Sequence, residues 1–135
     1  MATGLTPSER LVNKLSEKTF LKAWTHPNPI GKKRKELCDC LIVCAEHIII
    51  ISVKEIDYKD TGDITGYTRW VKKAISDSAA QIFGAERWLH SQKTIERHDG
   101  RVVTLPPFSE RKYHRILTSA LGHTIYFEKI SRICF

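Results

Sequence analysis

The sequence lacks the features that mark membrane, secreted or zinc-binding proteins. Its longest apolar run is far shorter than the roughly 20 residues that a membrane-spanning helix needs, and residues 1–10 lack the basic-then-apolar pattern of a signal peptide. We therefore expect a cytoplasmic protein without a membrane partner. The four cysteines have no paired CxxC spacing and the six histidines include no zincin-like pair, so we expect free thiols and no zinc site.

The composition is that of a globular protein with a basic surface. With 135 residues, of which 41% are hydrophobic and 27% charged, the chain can form a genuine core without disulfides. We expect a single domain over residues 1–135; the alternative is that it forms the N-terminal part of a longer protein. The formal charge of +7 favours polyanionic partners, because lysine and arginine side chains release condensed counterions when they face phosphates.

Two β-rich apolar runs, Leu37–Cys44 and Ile48–Lys54, are separated by a three-residue polar interruption. Both runs have the length and the β-branched content of strands. They predict an antiparallel hairpin, around which the rest of the chain is arranged.

Alternation along these strands places three polar side chains, those of Asp39, Ser52 and Lys54, on one side of the sheet. If Ala45-Glu46 is the loop, Asp39 lies opposite Ser52, whereas a Glu46-His47 loop places it opposite Lys54. A carboxylate and an ammonium among so many isoleucines are costly unless they are paired, hydrated or bound to a metal. That cost indicates a functional site.

Helices are predicted on both sides of the hairpin. Before it, Thr6, Pro7 and Glu9 form a capping box that starts a helix. A change of apolar face predicts a bend near Ser16–Lys18 and a second short helix. After the hairpin, a long helix is predicted at roughly Gly66–His90. Its apolar arc comprises Trp70, Val71, Ala74, Ile75, Ser78, Ile82, Ala85, Trp88 and Leu89.

Gln81 falls inside the apolar arc of the long helix. An inward amide needs partners, which either the polar side chains of the hairpin or the backbone could supply. Beyond the helix, strand-like runs occur at 94–98, 101–105 and 113–121, and 124–135 forms a final strand or helix. The cationic run Gly31–Lys35 leads into the hairpin, either as a solvated loop or facing phosphate.

This order of elements, with Asp39 on the first hairpin strand, Ser52-Val53-Lys54 on the second and Gln81 on the following helix, resembles the PD-(D/E)XK superfamily. The resemblance to these restriction-endonuclease-like proteins covers Pro7–His90 and is strongest for the nuclease-related and Mrr-like branches. It implies an α/β fold in which helices flank a mixed central β-sheet that contains the antiparallel hairpin. It also implies a metal-dependent nuclease that hydrolyses phosphodiester bonds, in DNA rather than in RNA.

The resemblance further assigns a role to individual residues. Asp39 matches the aspartate that binds Mg²⁺ or Mn²⁺, and Lys54 matches the lysine that positions the attacking water. The main-chain carbonyl of Val53 is a further possible ligand, and Glu36 resembles an extra acidic residue near this position. Gln81 resembles the glutamine that some branches place beside the site.

Ser52 is a clear departure from the family pattern, because the second carboxylate normally stands two residues before the lysine. Glu36 is the better candidate to replace the missing charge, since alternation places Glu55 on the opposite strand face. Two alternatives to a nuclease therefore stay open. One is a degenerate nuclease fold that binds nucleic acid or protein, and the other is a structural domain in which Asp39 and Lys54 form a half-buried ion pair.

Overall fold

The computed structural model describes residues 6–55, 64–121 and 124–129, and it has seven strands in this part of the chain. In chain order they are β1 (Thr25–Pro27), β2 (Cys40–Cys44), β3 (His47–Glu55), β4 (Thr94–Glu96), β5 (Val102–Thr104), β6 (Lys112–Leu121) and β7 (Thr124–Lys129). Five form a mixed sheet in the order β1-β2-β3-β6-β7, in which only β3 and β6 are parallel neighbours. Strands β4 and β5 pair separately as an antiparallel hairpin.

Two helices, α1 (Pro7–Phe20) and α2 (Ile64–Leu89), cover opposite faces of the five-stranded sheet. The α/β class, the mixed sheet and the helix expected at 66–90 are thus confirmed. Within the described residues, no helix is both long and apolar enough to cross a membrane. Among the arc residues expected on α2, the side chains of Trp70, Val71 and Ala74 lie outside what the structure describes.

Strand β3 lies at the centre of the sheet, which explains its run of four isoleucines. Ile48 and Ile50 pack against α2, whereas Ile49 and Ile51 pack in the core under α1. A strand buried on both faces needs apolar residues at consecutive positions rather than at alternate ones. Each such side chain contributes about 1.5–3 kcal/mol when it is fully buried.

The capping box at the start of α1 is confirmed. The Glu9 N–H donates to Thr6 Oγ1 over 3.2 Å, and the Thr6 N–H donates to Glu9 Oε2 over 3.0 Å. The predicted bend near Ser16–Lys18 is wrong, because α1 continues to Phe20 before a short 3-10 turn at Lys22–Trp24. The buried face of α1 is partly polar, with Val12, Asn13 and Ser16, so apolar spacing alone misplaced the bend.

The hairpin of β2 and β3 has the first of the two expected registers. Cys44 pairs with His47 and Cys40 with Ile51, so the loop is Ala45-Glu46. The first strand is shorter than predicted, because β2 begins at Cys40 and Asp39 therefore precedes it. One consequence is that Cys38 packs in the core under α2, whereas Cys40 packs under α1.

The thiols and the later strands agree with the sequence expectations where the structure describes them. Cys38, Cys40 and Cys44 are free thiols, and Cys134 lies outside the described residues. The small hairpin turns at Asp99-Gly100, where Gly100 has φ 86°. The final apolar segment is a strand over 124–129.

Candidate metal centre

Three carboxylates meet beside the start of β2. One oxygen each from Glu9, Glu36 and Asp39 can be chosen so that all three lie within 4.8 Å of one another. We call these residues the acidic cluster. They come from the first turn of α1 and from the segment between β1 and β2, so the fold brings together side chains that are up to 30 positions apart.

Backbone groups hold two of the three carboxylates. The Val53 N–H donates to Asp39 Oδ2 over 2.5 Å, and Asp39 is only 7% exposed. The bond from the Thr6 N–H to Glu9 Oε2 fixes the second carboxylate at the helix N-terminus, where the helix dipole favours negative charge. Glu36 is more exposed, and its backbone forms an isolated β-bridge with Ile30.

The proximity of these carboxylates affects the pKa values of two of them. Burial raises the pKa of Asp39, and the charge of Glu36 raises it further, although the hydrogen bond from Val53 opposes the shift. Glu36 is exposed overall, but partial burial of its carboxyl group raises its pKa, and the charge of Glu9 adds to this effect. A proton or a cation would therefore stabilise the carboxylates of Asp39 and Glu36.

The donor set of the acidic cluster suits a hard divalent cation. All its groups offer oxygen, which Mg²⁺, Mn²⁺ and Ca²⁺ prefer, and none offers the nitrogen or sulfur ligands typical of zinc. Ligands on opposite sides of Ca²⁺ lie about 4.8 Å apart, and those of Mg²⁺ about 4.2 Å apart. The three oxygens lie within 4.8 Å of one another, so no two are farther apart than opposite ligands of a single Ca²⁺ ion.

Two asparagines beside the acidic cluster have buried side-chain atoms that lack hydrogen-bond partners among the described residues. For Asn28 this atom is Oδ1, and for Asn13, only 7% exposed, both amide atoms are unpaired. Asn13 follows Glu9 by one helical turn, and helical side chains lean toward the N-terminus. Asn28 donates its backbone N–H to the carbonyl of Asp39. Such atoms are normally satisfied by ordered water or an ion.

The acidic cluster opens into a surface cleft of about 410 Å³. We call it the acidic cleft; it is lined by Thr6, Glu9, Asn28, Ile30, Arg34, Glu36 and His98. Its lining thus includes a cation and a histidine as well as carboxylates, a mixture that fits a charged ligand.

The prediction that Asp39 and Ser52 lie on one side of the sheet is wrong, because the carboxylate of Asp39 groups with Glu9 of α1 whereas Ser52 faces Gln81 of α2. Ser52 is fully buried and donates its hydroxyl to Gln81 Oε1 over 2.7 Å, which confirms the inward orientation of Gln81. Val53 contributes its N–H to Asp39, and a role for its carbonyl stays a prediction.

Lys54 is half-buried near the end of β3. No carboxylate of the described residues lies within 4.0 Å of its ammonium, so the ion pair with Asp39 that a purely structural role requires does not form. The side chain of Glu55, expected on the opposite strand face, lies outside the described part.

Glu9 is the site residue that sequence reasoning missed. The capping box predicted where Glu9 lies on its helix, but no sequence pattern indicates which strand end that helix reaches. Asn28 and His98 were missed for the same reason, since neither belongs to a motif.

Comparison with known proteins identifies no relative of this chain. No protein-family model, no curated protein and no solved structure matches the chain. The resemblance to the restriction-endonuclease-like superfamily therefore stays a prediction from the residues.

Proposed function

We propose that this protein is a metal-dependent nuclease-like domain of restriction-endonuclease-like architecture that hydrolyses phosphodiester bonds in nucleic acid, with DNA preferred over RNA. The observation that carries the proposal is the convergence of Glu9, Glu36 and Asp39 next to the strand that bears Lys54. Glu9 supplies the carboxylate that Ser52 does not, so the departure at Ser52 leaves the acidic cluster with enough charge for a divalent ion.

Glu9, Glu36 and Asp39 would hold Mg²⁺ or Mn²⁺. When bound, the ion supplies Lewis acidity to a phosphoryl oxygen and lowers the pKa of a coordinated water. Oxygen-only ligands and the raised pKa values of Asp39 and Glu36 both support a cation at this position.

The surrounding residues orient the site and complement the charge of the substrate. The Val53 N–H donates to Asp39 Oδ2, and Gln81 Oε1 accepts the Ser52 hydroxyl. Lys54 has no carboxylate within 4.0 Å among the described residues, so its ammonium is available to a phosphate oxygen and to the attacking water. Positive charge there stabilises the oxygens that become more negative in the transition state.

A second function, a nucleic-acid or protein-binding module without catalysis, is favoured by one observation. The Ser52 hydroxyl is fully buried and committed to Gln81, so the position of the usual second carboxylate contributes no ligand. If Glu9 does not replace the missing carboxylate, the protein would keep its binding surface but would not catalyse hydrolysis.

Cleavage of labelled single- and double-stranded DNA and RNA with Mg²⁺ or Mn²⁺ tests the proposal. We expect Asp39→Ala and Lys54→Ala each to lower the rate about 100-fold or more. Glu9→Gln should also lower it, because glutamine keeps an oxygen for the Thr6 N–H but removes the charge. Glu110→Gln, an exposed change outside the acidic cluster, serves as the control.

Activity that survives both Asp39→Ala and Lys54→Ala would show that chemistry occurs elsewhere. Binding without any cleavage by the wild type would favour the module. Thermal melts of every variant separate a lost site from a lost fold.

A further inference from the structure

Arg34, which lines the acidic cleft, belongs to a strongly basic loop. Residues 32–35, here called the basic loop, precede Glu36, and three of them are exposed lysines. None of these lysines has a carboxylate within 4.0 Å among the described residues, whereas Arg34 makes two hydrogen bonds to Glu96, of 3.1 and 3.2 Å. The lysine charges are thus left for an external partner.

The basic loop is held in a defined shape. Lys33 and Arg34 have φ of 56° and 59°, a left-handed conformation that costs a non-glycine residue about 1–2 kcal/mol. The Gly31 N–H closes the turn on the Lys35 carbonyl over 2.6 Å. A side chain at Gly31 would place its Cβ 3.0 Å from that of Leu37, so the backbone there approaches the core closely. The lysines therefore project from a constrained turn.

The β4–β5 hairpin, which the main sheet does not require, also contributes to the lining of the acidic cleft. Its residues 97–101, here called the hairpin tip, are tied to the cleft side of the fold. Arg97 donates to Nδ1 of the buried His26 over 3.1 Å, and the backbone N–H of Ile30 donates to the Glu96 carbonyl over 3.0 Å. His98 consequently lines the acidic cleft.

The hairpin tip also carries an excess of positive charge. Arg97 and Arg101 share the single carboxylate of Asp99, at 3.3 and 3.9 Å. The side chain of Arg101 is 79% exposed, so its guanidinium can still reach an external anion. The acidic cleft is thus lined by the carboxylates of Glu9 and Glu36 together with Arg34 and His98. The remaining cations of the basic loop and of the hairpin tip are sequence neighbours of Arg34 and His98.

We infer that the basic loop and the hairpin tip form the two walls of a groove that binds the phosphate backbone of nucleic acid and leads it across the acidic cluster. The inference rests on the proposed function, because it takes the acidic cluster as the metal-binding floor of the groove. It assigns a role to the β4–β5 hairpin and to the run Lys32–Lys35, which sequence reasoning left open between a solvated loop and a phosphate-facing one.

Charge order across the groove favours nucleic acid over an acidic peptide. A polyphosphate backbone can contact cations on both walls while a metal-loaded floor accepts one of its phosphates. An acidic peptide offers irregularly spaced carboxylates, which match cations on two walls less well than evenly spaced phosphates do.

Fluorescence anisotropy with labelled DNA, over 0.05–0.2 M KCl in EDTA, tests the groove apart from catalysis. We expect the double variant Lys32→Gln/Lys33→Gln to weaken binding about tenfold or more near 0.1 M salt. It should also reduce the salt slope of log K by about 2, one for each phosphate contact. The matched control, Lys72→Gln/Lys73→Gln, removes the same charge from the exposed surface of α2 and should change affinity less than twofold.

The proposed groove would be contradicted if both double variants weakened DNA binding equally, or if neither weakened it. Competition by polyglutamate as strong as that by DNA of equal charge would also contradict it. A different result would contradict the proposed function alone. If the wild type binds DNA through Lys32 and Lys33 but never cleaves it, the groove is supported and the nuclease activity is not. Glu9→Gln separates the two further, since it should lower the cleavage rate yet leave binding in EDTA unchanged or tighter.

Discussion

Replacing Glu36 with glutamine should make the metal-free protein more stable, an unusual direction for a change at a functional site. The negative charges of Glu9 and Glu36 repel each other and that of Asp39, because a carboxylate oxygen of each residue lies within 4.8 Å of one of Asp39. Two unit charges at this separation repel by about 1 kcal/mol in water and by several times more at the lower effective dielectric constant of a protein surface. Because Glu36 is exposed and screened, we take the lower figure, about 1 kcal/mol.

Metal should reverse the order of stability. A ligand at 100 times its Kd stabilises the folded state by about 2.7 kcal/mol, and the wild type keeps all three carboxylates for it. Glu36→Gln loses one of them and should gain less. In EDTA the variant should therefore melt about 3–5 °C above the wild type, and in excess Mg²⁺ or Mn²⁺ below it.

Thermal unfolding in EDTA and across a titration of each metal measures both effects. Glu110→Gln controls for the loss of one negative charge from an exposed position and should change neither. Lower stability of Glu36→Gln in EDTA, or metal stabilisation equal to that of the wild type, would refute the reasoning about the acidic cluster.

The proximity of the three carboxylates also determines how the stability of the metal-free protein changes with pH. Because the folded-state pKa values of Asp39 and Glu36 are raised, their contribution favours the folded state at low pH. It is lost as the pH rises from the ordinary carboxylate range through the raised values. Stability of the metal-free wild type should fall over that window relative to Glu36→Gln, and saturating metal should remove the difference.

Two further predictions concern groups outside the acidic cluster. Burial, and then the charge of Arg97, lower the pKa of His26 to about 4, so its contribution to stability is lost as the pH falls from about 6.5 through about 4. An NMR titration of the His26 ring should give a midpoint near 4, and one near 6.5 would contradict its packing. Glu86 and Arg115 form an ion pair of 2.6 Å beneath Phe83, with side chains only 10% and 17% exposed. Glu86→Leu or Arg115→Met alone should each cost about 3–5 kcal/mol in urea unfolding and the double variant far less, whereas additive losses would refute the coupling.

Local pattern was sufficient for the elements that build the centre of the fold. Consecutive isoleucines at 48–51 predict a strand, and burial on both faces is the physical reason they are consecutive. The arc on α2 predicted that Gln81 points inward, because helical spacing alone decides which side chains share a face. Thr6 and Glu9 marked the start of α1 through contacts only three residues apart.

Local pattern failed where polar residues take the place of apolar ones. The buried face of α1 includes Asn13 and Ser16, so a search for apolar spacing predicted a bend that does not form. It also extended β2 back to Leu37, because the residues before Cys40 are apolar enough for a strand although they form no ladder pairs with β3.

By itself, then, the sequence determined the class of fold, the hairpin with its two possible registers, and Asp39 as a carboxylate too costly to bury without a purpose. Only the tertiary structure decided that Glu9 joins Asp39 and Glu36, and that the β4–β5 hairpin forms a wall of the acidic cleft. The physical reason is the range of the signal. Periodicity reports neighbours within one turn or one pleat, whereas the acidic cluster depends on where the end of one helix packs against the end of one strand.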